Sequence, residues 1–355
     1  MDIYAVIMAG GIGARFWPRS KIRKPKQLIR IFGENTMIQD TVKRLKGLVI
    51  NENIYIITNK IQKMRVKEQL PQLPKENIID EPFGKNTAAC IGLASVLIRK
   101  KNPNAVTLIL PSDHLIKDDE EFRNCLKGAA KFADKSNGLV TIGVTPTRPE
   151  TGYGYIQFDD KEVSKDIYKV LTFAEKPNLS TARRFVESGD FLWNAGIFIW
   201  KVETILNEMK THLSDLYGGL SSLESHIGQP DFEKELVQVY GQLKSISIDY
   251  GVMEKSDKVY LTKADFYWND VGNWEAVYEI AEKNDDGNAI VGDVYAANTF
   301  GSYIFSPKKF TAALGVSNMI IIDTNESLLI CHRDNAQDVR QVVDYLKMNK
   351  RTELT

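Results

Sequence analysis

The sequence predicts an α/β protein, in which an N-terminal domain with a mixed, mostly parallel sheet precedes a small C-terminal β domain that ends in a helix. Three observations predict this class. Short apolar runs alternate with helical patterns up to Val144, the pattern becomes mixed from Gly152, and short strand-like runs follow Asn288. Alternating strands and helices form βαβ units with parallel sheets, whereas closely spaced strands form all-β arrays. A chain of 355 residues is also long enough to build two cores.

The first part combines wholly apolar strands with helices whose apolar residues recur at helical spacing. The predicted strands lie at residues 3–9, 54–58, 106–110 and 139–144. The predicted helices lie at residues 36–48, 62–70, 86–101 and 120–135. Strands separated by helices in this way build a parallel sheet.

The second part mixes strands and helices, and a turn-rich segment then precedes the C-terminal domain. Strands are predicted at residues 168–173 and 196–201, with helices at 179–188 and 273–283. Asp285-Asp286-Gly287-Asn288 is typical of a turn, so the two domains are predicted at residues 1–284 and 285–355. In the C-terminal domain, strands are predicted at residues 289–291, 302–305, 319–322 and 328–331, and an amphipathic helix at 336–347.

Charge and cysteine content disfavour several classes of protein. Lysine and arginine together number 46, as do aspartate and glutamate, so the net charge of zero disfavours nucleic acid or an anionic membrane as the main partner. The three cysteines have no disulfide or metal spacing, which indicates a reducing compartment. The apolar run at residues 3–9 is too short to span a bilayer and has no basic leader before it. We therefore expect a cytoplasmic protein.

A glycine-rich loop follows the first predicted strand and carries the strongest functional signal. Gly10, Gly11 and Gly13 lack side chains, so backbone N–H groups there can approach phosphate oxygens. Arg15 and Lys26 add positive charge along the same loop. The pattern therefore predicts binding of a phosphorylated ligand, in preference to a turn with a solvated basic tail.

Two better-known glycine loops do not match. A Rossmann dinucleotide fingerprint needs a glycine where Phe16 stands, and a P-loop needs a Gly-Lys-Ser/Thr run that is absent. A nicotinamide-dependent oxidoreductase is therefore disfavoured.

The full sequence of this loop resembles the motif of a known enzyme family. Gly-Gly-x-Gly-x-Arg-x-x-Pro followed by Pro-Lys is similar to the signature of sugar-nucleotide pyrophosphorylases, and Trp17-Pro18-x-Ser20 with Pro25-Lys26-Gln27 resembles their mannose-1-phosphate guanylyltransferase (GDP-mannose pyrophosphorylase) branch. Seven later segments match that branch in the same order. They begin at Glu81, Pro111, Thr151, Glu175, Trp193, Ser247 and Trp268. Lys21 and Lys85 depart from the pattern, because the family often has arginine there.

The resemblance implies both a fold and a reaction. The fold is a Rossmann-like, GT-A-like nucleotidyltransferase domain followed by a short left-handed β-helix-like domain. The reaction converts GTP and α-D-mannose 1-phosphate to GDP-mannose and pyrophosphate, with Mg²⁺ as cofactor. The attacking phosphate arrives already ionised, so the protein mainly positions two anions and neutralises growing charge. This explains why the segments that match the family contain Arg, Lys and Asp.

By the same resemblance, Arg15, Lys26, Asp113 and Asp270 are the catalytic residues, and Asp113 and Asp270 hold Mg²⁺. Asp113 follows the predicted strand at 106–110, and Asp270 precedes a predicted helix. Carboxylate oxygens suit Mg²⁺, with water and substrate completing the shell. The alternative for Asp270 is a helix N-cap. His114 is expected to be structural or to support Asp113, because no His/Cys pair has zinc-ligand spacing.

The nucleotide side draws on the glycine loop, on residues 81–87 and on Ser112. Guanine needs acceptors for its N1–H and its N2 amino group, and Glu81 with the backbone around residues 84–87 can supply them. The predicted nucleotide-binding residues are Gly10, Gly11, Gly13, Glu81, Gly84, Asn86, Thr87 and Ser112.

On the sugar side the resemblance implies Tyr153, Gly154, Glu175, Lys176 and Asn194. Glu175 can accept from two sugar hydroxyls, Lys176 can meet the sugar phosphate, and Asn194 can supply a donor and an acceptor. The alternative for Glu175-Lys176 is a surface ion pair.

Other functions stay open at this stage. The same chemistry could act on another sugar 1-phosphate, such as a manno-heptose or glucose 1-phosphate. A non-catalytic sensor of GDP-mannose is a further alternative, although such a protein is expected to lose its charged catalytic positions. The apolar strands and final helix of the C-terminal domain could pair two subunits, so a homodimer is also an expectation.

Overall fold

The computed structural model describes residues 1–355, which divide into two compact units. The first unit comprises Met1–Gly10, Thr41–Ser112 and Ile116–Trp268. The second comprises Gly11–Asp40, Asp113–Leu115 and Asn269–Thr355. From Gly11 onward, the glycine-rich loop is therefore part of the same compact unit as the C-terminal residues.

The first eleven strands of the chain are β1 Ile3–Met8, β2 Ile54–Asn59, β3 Ile78–Glu81, β4 Val106–Pro111, β5 Leu115–Ile116, β6 Leu139–Val144, β7 Tyr155–Ser164, β8 Ile167–Ala174, β9 Phe191–Lys201, β10 Val259–Lys263 and β11 Trp268–Asn269. The first unit is built on a nine-stranded sheet in the order β3-β2-β1-β4-β9-β6-β10-β8-β7. Only β8 and β9 run against the other seven strands, which confirms the predicted mixed, mostly parallel sheet.

Strand β9 begins five residues earlier than the predicted start at Gly196. Gly196 has a φ of 66°, and the pairing of β9 with β6 shifts register beside it. A bulge of this kind absorbs extra residues without ending the strand. The glycine that looked like a boundary is therefore a bulge inside the strand.

The helices are α1 Met37–Arg44, α2 Lys63–Gln69, α3 Asn86–Lys101, α4 Asp119–Ser136, α5 Leu179–Ser188, α6 Val202–His212, α7 Ser214–Ser222, α8 Phe232–Gln242, α9 Trp274–Ile280 and α10 Val339–Met348. Helix α3 is buried over most of its length. A Cβ at its Gly92 would lie 2.4 Å from a methyl carbon of Leu220, so glycine permits the close approach of α7. None of these helices is both long and apolar enough to cross a membrane.

The second unit contains four more strands, β12 Ala289–Ala297, β13 Tyr303–Leu314, β14 Met319–Asp323 and β15 Leu328–His332. The first three pair in parallel, and β15 returns antiparallel to β14. Ala289, Tyr303 and Ile320 stack in register and are all buried. Parallel strands stacked without intervening helices are typical of a β-helix-like domain, and α10 closes the chain as predicted.

The core of the second unit includes aromatic residues of the glycine-rich loop. Phe16 and Trp17 belong to the same buried cluster as Trp274, Tyr303 and Val343. The indole N–H of Trp274 donates to the Trp17 carbonyl (3.0 Å), and the Phe16 and Trp274 ring centroids are 5.1 Å apart. The loop is thus anchored by residues more than two hundred positions away in sequence.

Candidate active site

Gly13 brings the backbone of the loop against Lys26. Its φ of +59° lies in the left-handed region, which favours glycine. A Cβ at Gly13 would also lie 2.8 Å from both the Cβ and the backbone nitrogen of Lys26. The side-chain amide of Gln27 donates to the Gly11 carbonyl (2.9 Å). The close approach of Gly13 and the hydrogen bond of Gln27 together fix the position of the Lys26 backbone.

The Lys26 ammonium joins two of the other predicted catalytic residues. It lies 3.0 Å from Asp113 Oδ2 and donates to the Asp270 carbonyl oxygen (2.5 Å). Only 5% of Lys26 is exposed, so its charge depends on these partners. Burial alone would raise the pKa of Asp113, but the charges of Lys26 and His114 and the hydrogen bond from Lys26 hold it below its usual range. Asp113 is therefore a carboxylate at neutral pH.

Asp270 sits on a strained loop rather than at a helix cap. Val271 has a φ of 49° and is fully buried, and a β-branched residue rarely adopts this conformation. The Asn269 side chain accepts from the Val271 N–H (2.7 Å). The N-cap alternative for Asp270 is wrong, because the Asn273 side chain caps α9 by accepting from the Ala276 N–H (3.0 Å).

Arg15 is not part of this contact group. It lies in the short helical turn Ala14–Phe16, and its side chain is exposed. The structure thus brings together Lys26, Asp113 and Asp270 and leaves Arg15 facing solvent.

Glu81 ends strand β3 and lies beside Gly10 at the end of β1. A Cβ at Gly10 would be 3.6 Å from Glu81 Oε2. The Tyr240 hydroxyl donates to Glu81 Oε1 (3.2 Å). Burial raises the pKa of Glu81 to about 7, although the Tyr240 hydrogen bond opposes this shift. Glu81 is thus a carboxyl group that changes charge near neutral pH.

The remaining nucleotide-side residues surround the start of α3. Asn86 has a φ of 67°, and its side chain accepts from the Thr87 N–H (2.8 Å). The Thr87 hydroxyl oxygen accepts from the Ile248 N–H (2.8 Å). Nothing lies within 4 Å of a Cβ built at Gly84. The Ser112 N–H donates to the Met8 carbonyl (3.2 Å), which ties Ser112 to the end of β1.

Glu175 and Lys176 contact each other, but in different environments. The Glu175 side chain is 8% exposed, whereas the Lys176 side chain is 59% exposed. A Cβ at Gly154 would lie 2.6 Å from Glu175 Oε2, so glycine is needed for this approach. Lys176 has a φ of 46°. The pair therefore combines a buried carboxylate with an exposed ammonium.

The hydrogen bonds of Asn194 restrict what it can offer a ligand. Its Oδ1 accepts from the Thr141 hydroxyl (3.1 Å) and from the Gly196 N–H (3.0 Å). Its Nδ2 donates to Asp249 Oδ1 (3.0 Å). An amide oxygen has two lone pairs, and an amide nitrogen has two hydrogens. One N–H donor remains, and Oδ1 can accept from a ligand only when the Thr141 hydroxyl, which has one hydrogen, donates instead to the Ile197 carbonyl (3.2 Å).

Tyr153 packs among aromatic rings. Its ring centroid lies 5.1 Å from that of Trp193 and 5.3 Å from that of Trp268, both in edge-to-face geometry. Trp193 and Phe198 are buried and therefore serve as packing residues.

Sequence reasoning missed two residues of the first unit. Asp249 begins the π-helical turn Asp249–Met253, a geometry that often marks functional sites. Burial and the nearby Glu175 charge raise the pKa of Asp249 to about 6. The matched segment at 247–255 contained Asp249 without giving it a role. Tyr240 lies on α8, in a stretch with no recognisable motif.

Comparison with known proteins identifies the family. Residues 4–287 match the nucleotidyl transferase family model, and residues 292–346 match the MannoseP isomerase/GMP-like beta-helix domain. Mannose-1-phosphate guanylyltransferases from Klebsiella pneumoniae and Salmonella muenchen are 37% and 39% identical, over 98% of this chain and 74% of each relative.

A solved structure shows the same fold. A Thermus thermophilus protein described as a mannose-1-phosphate geranyltransferase superimposes with a TM-score of 0.88 at 33% identity, covering 98% of this chain and 100% of its own. The chain therefore belongs to the nucleotidyl transferase family, within its mannose-1-phosphate guanylyltransferase branch.

Proposed function

We propose that this chain transfers the GMP unit of GTP to α-D-mannose 1-phosphate, giving GDP-mannose and pyrophosphate. The family supports the reaction class. The observation that carries the assignment to residues is the buried Lys26 ammonium, held against Asp113 and the Asp270 backbone. A buried cation beside an ionised carboxylate suits a reaction between polyanions.

In the proposed reaction, a phosphate oxygen of mannose 1-phosphate attacks the α-phosphorus of GTP in line with the leaving group. The bond from the α-phosphorus to the bridging oxygen breaks, and pyrophosphate leaves with that electron pair. No proton has to be removed from the nucleophile, so no general base is needed. Lys26 and Arg15 neutralise charge on the phosphates, and Gly10, Gly11 and Gly13 admit them to the backbone.

Asp113 and Asp270 would hold Mg²⁺, and the donor set fits this ion. Mg²⁺ is usually bound by one or two carboxylates, with water and substrate phosphates completing its shell. The low pKa of Asp113 keeps that carboxylate ionised. Gly272 leaves room beside the Asp270 carboxylate, because a Cβ there would lie only 3.1 Å from Asp270 Oδ2. When bound, the ion would supply charge stabilisation for the triphosphate.

The two substrates are proposed to use different residues of the first unit. Glu81, Gly84, Asn86, Thr87 and Ser112 would bind the nucleotide. Tyr153, Gly154, Glu175, Lys176 and Asn194 would bind the sugar phosphate, with Asn194 acting as a donor. Residues 1–284 would form the catalytic domain and 285–355 the C-terminal domain of a cytoplasmic enzyme that could pair as a homodimer.

A panel of substrates tests the proposal. Pyrophosphate release is measured with GTP, ATP and UTP against mannose 1-phosphate, glucose 1-phosphate and a manno-heptose 1-phosphate, with and without EDTA. We expect the highest kcat/KM for GTP with mannose 1-phosphate, and loss of turnover in EDTA that Mg²⁺ restores. Greater turnover with another sugar would transfer the assignment to that sugar. GDP-mannose binding without turnover on any pair would indicate a sensor instead.

A further inference from the structure

The segment that follows α8 is tied to the start of α3, where the candidate nucleotide residues lie. The Ala88 N–H donates to the Ile246 carbonyl (3.2 Å), and the Ile248 N–H donates to the Thr87 hydroxyl oxygen (2.8 Å). These bonds hold the segment that follows α8 against the start of α3, within the first unit.

Tyr240 extends from α8 to the same segment. The residue is fully buried, and its hydroxyl lies 3.2 Å from both Glu81 Oε1 and the Ala89 carbonyl oxygen. A phenol has one hydrogen to donate. Since a hydrogen bond to an ionised acceptor is the stronger one, the hydrogen goes to Glu81 when that group is a carboxylate.

The second oxygen of Glu81 faces Gly10. Glu81 Oε2 lies 3.6 Å from the position that a Cβ of Gly10 would occupy. One oxygen of the carboxylate is therefore fixed by Tyr240, and the other faces a position that carries no side chain. Guanine presents two adjacent donors, N1–H and the N2 amino group, whereas N1 of adenine is an acceptor. A fixed carboxylate accepts from the first base and repels the second.

We propose that Tyr240 is a positioning residue, which orients the Glu81 carboxylate so that the site selects guanine over adenine. This inference rests on the proposed function, because it assumes that GTP is the nucleotide substrate. Tyr240 touches no substrate in this account and acts only through Glu81.

The charge of Glu81 gives this role a measurable signature. Burial raises the pKa of Glu81 to about 7, and the hydrogen bond from Tyr240 works in the opposite direction. The other titratable group that faces Glu81 is the Cys90 thiol on α3, which is uncharged because burial raises its pKa. Loss of the Tyr240 hydroxyl therefore raises the pKa of Glu81 further. Less carboxylate is then present at neutral pH.

The test is steady-state kinetics of Tyr240→Phe with GTP, ITP and ATP across pH 5.5 to 9. We expect kcat/KM for GTP to fall roughly tenfold or more at pH 7, mainly through KM, since a bond to a charged group is lost. The preference for GTP over ATP should shrink, KM for mannose 1-phosphate should stay within about twofold, and the acidic limb of the GTP profile should move to higher pH. ITP lacks the N2 amino group, so the variant should affect it less than GTP.

Two further variants keep the inference falsifiable. Glu81→Gln should lose the GTP preference and the part of the acidic limb that Glu81 contributes, and adding Tyr240→Phe to it should change little. Titration of GTP itself is common to all these enzymes, so differences between profiles report Glu81. Tyr278→Phe is the matched control, because it removes another buried hydroxyl, which donates to the Gly287 carbonyl (2.9 Å) in the second unit.

The outcomes separate the two proposals. If the wild-type enzyme does not use GTP, the proposed function fails. If it does, but Tyr240→Phe keeps the wild-type GTP preference and pH profile, the positioning role is wrong. The positioning role is also wrong if Tyr240→Phe raises KM for GTP and KM for mannose 1-phosphate equally and lowers Tm, and if Tyr278→Phe does the same.

Discussion

Lys26 shows how one residue links the fold to the proposed chemistry. A buried ammonium is stable only when its charge is paired and hydrogen-bonded. Asp113 and the Asp270 carbonyl meet this need. Because the same carboxylate is the proposed Mg²⁺ ligand, removing it affects the ion pair and the metal together.

Asp113→Asn should reduce kcat/KM by about 100-fold or more, since a ligand and a charge partner are both lost. Secondary structure measured by circular dichroism should be unchanged, because asparagine keeps the shape of the side chain. Asp344→Asn, on an exposed part of α10, is the control. Normal turnover of Asp113→Asn at limiting Mg²⁺ would contradict the metal role.

Glu81 gives a second prediction, for stability against pH. Its pKa is raised in the folded state to about 7, from 4.5, so the folded protein binds more protons than the unfolded chain between these values. Stability from this group is therefore highest at low pH and is lost as pH rises through 7.

The substitution Glu81→Gln removes this titration. The free energy of unfolding of the variant, relative to that of the wild type, should be about 2 kcal/mol higher at pH 8 than at pH 5. Urea unfolding at both pH values measures the difference. A difference that stays constant with pH would mean that Glu81 is not the titrating group.

At the scale of elements, the glycine loop contains two glycines with opposite surroundings. Gly13 has a positive φ and contacts the Lys26 backbone, whereas nothing lies within 4 Å of a Cβ built at Gly11. Gly13→Ala should therefore lower the free energy of unfolding by about 2 to 4 kcal/mol. Gly11→Ala should change it by less than about 0.5 kcal/mol, yet raise KM for GTP, because its methyl group enters the proposed phosphate site. Equal effects of both substitutions on stability would contradict this account.

The elements also show what the sequence could predict. Strand β1 is a continuous apolar run, and β4 and β6 are apolar apart from one threonine each, so these runs leave little choice of structure. Helix α7 escaped prediction because Gly218 and Gly219 weaken its helical pattern. The ends of β12 and β13 were missed because Gly292-Asp293 and Pro307-Lys308-Lys309 interrupt their apolar patterns.

The site was predictable in identity but not in geometry. Family resemblance supplied Lys26, Asp113 and Asp270, but a motif cannot show that Lys26 binds the backbone, rather than the carboxylate, of Asp270. Tyr240 reaches Glu81 across 159 residues of sequence, and no local pattern encodes such a contact.

At the scale of the whole molecule, the second compact unit is discontinuous in sequence. Its core joins Phe16 and Trp17 to Trp274, Tyr303 and Val343. A chain cut at the sequence boundary, residues 1–284, would therefore expose the aromatic residues of the glycine loop.

We expect this truncated chain to show less than about 1% of the full-length kcat/KM, with the loop open to limited proteolysis. Trp17→Phe is a milder variant that keeps an aromatic ring but makes it smaller and removes the indole N–H donated to the Leu354 carbonyl (2.9 Å). Full activity of the truncated chain would show that the loop needs no C-terminal core.

The shared core of the loop and the C-terminal strands also limits how relatives can be recombined. A chimera that exchanges only residues 285–355 would set Trp17 and Trp274 against a foreign surface, although every catalytic residue stayed native. An exchange that also carries residues 11–40 and 269–284 would transfer the aromatic cluster intact. Functional hybrids should thus follow the three-dimensional unit and not the linear domain border.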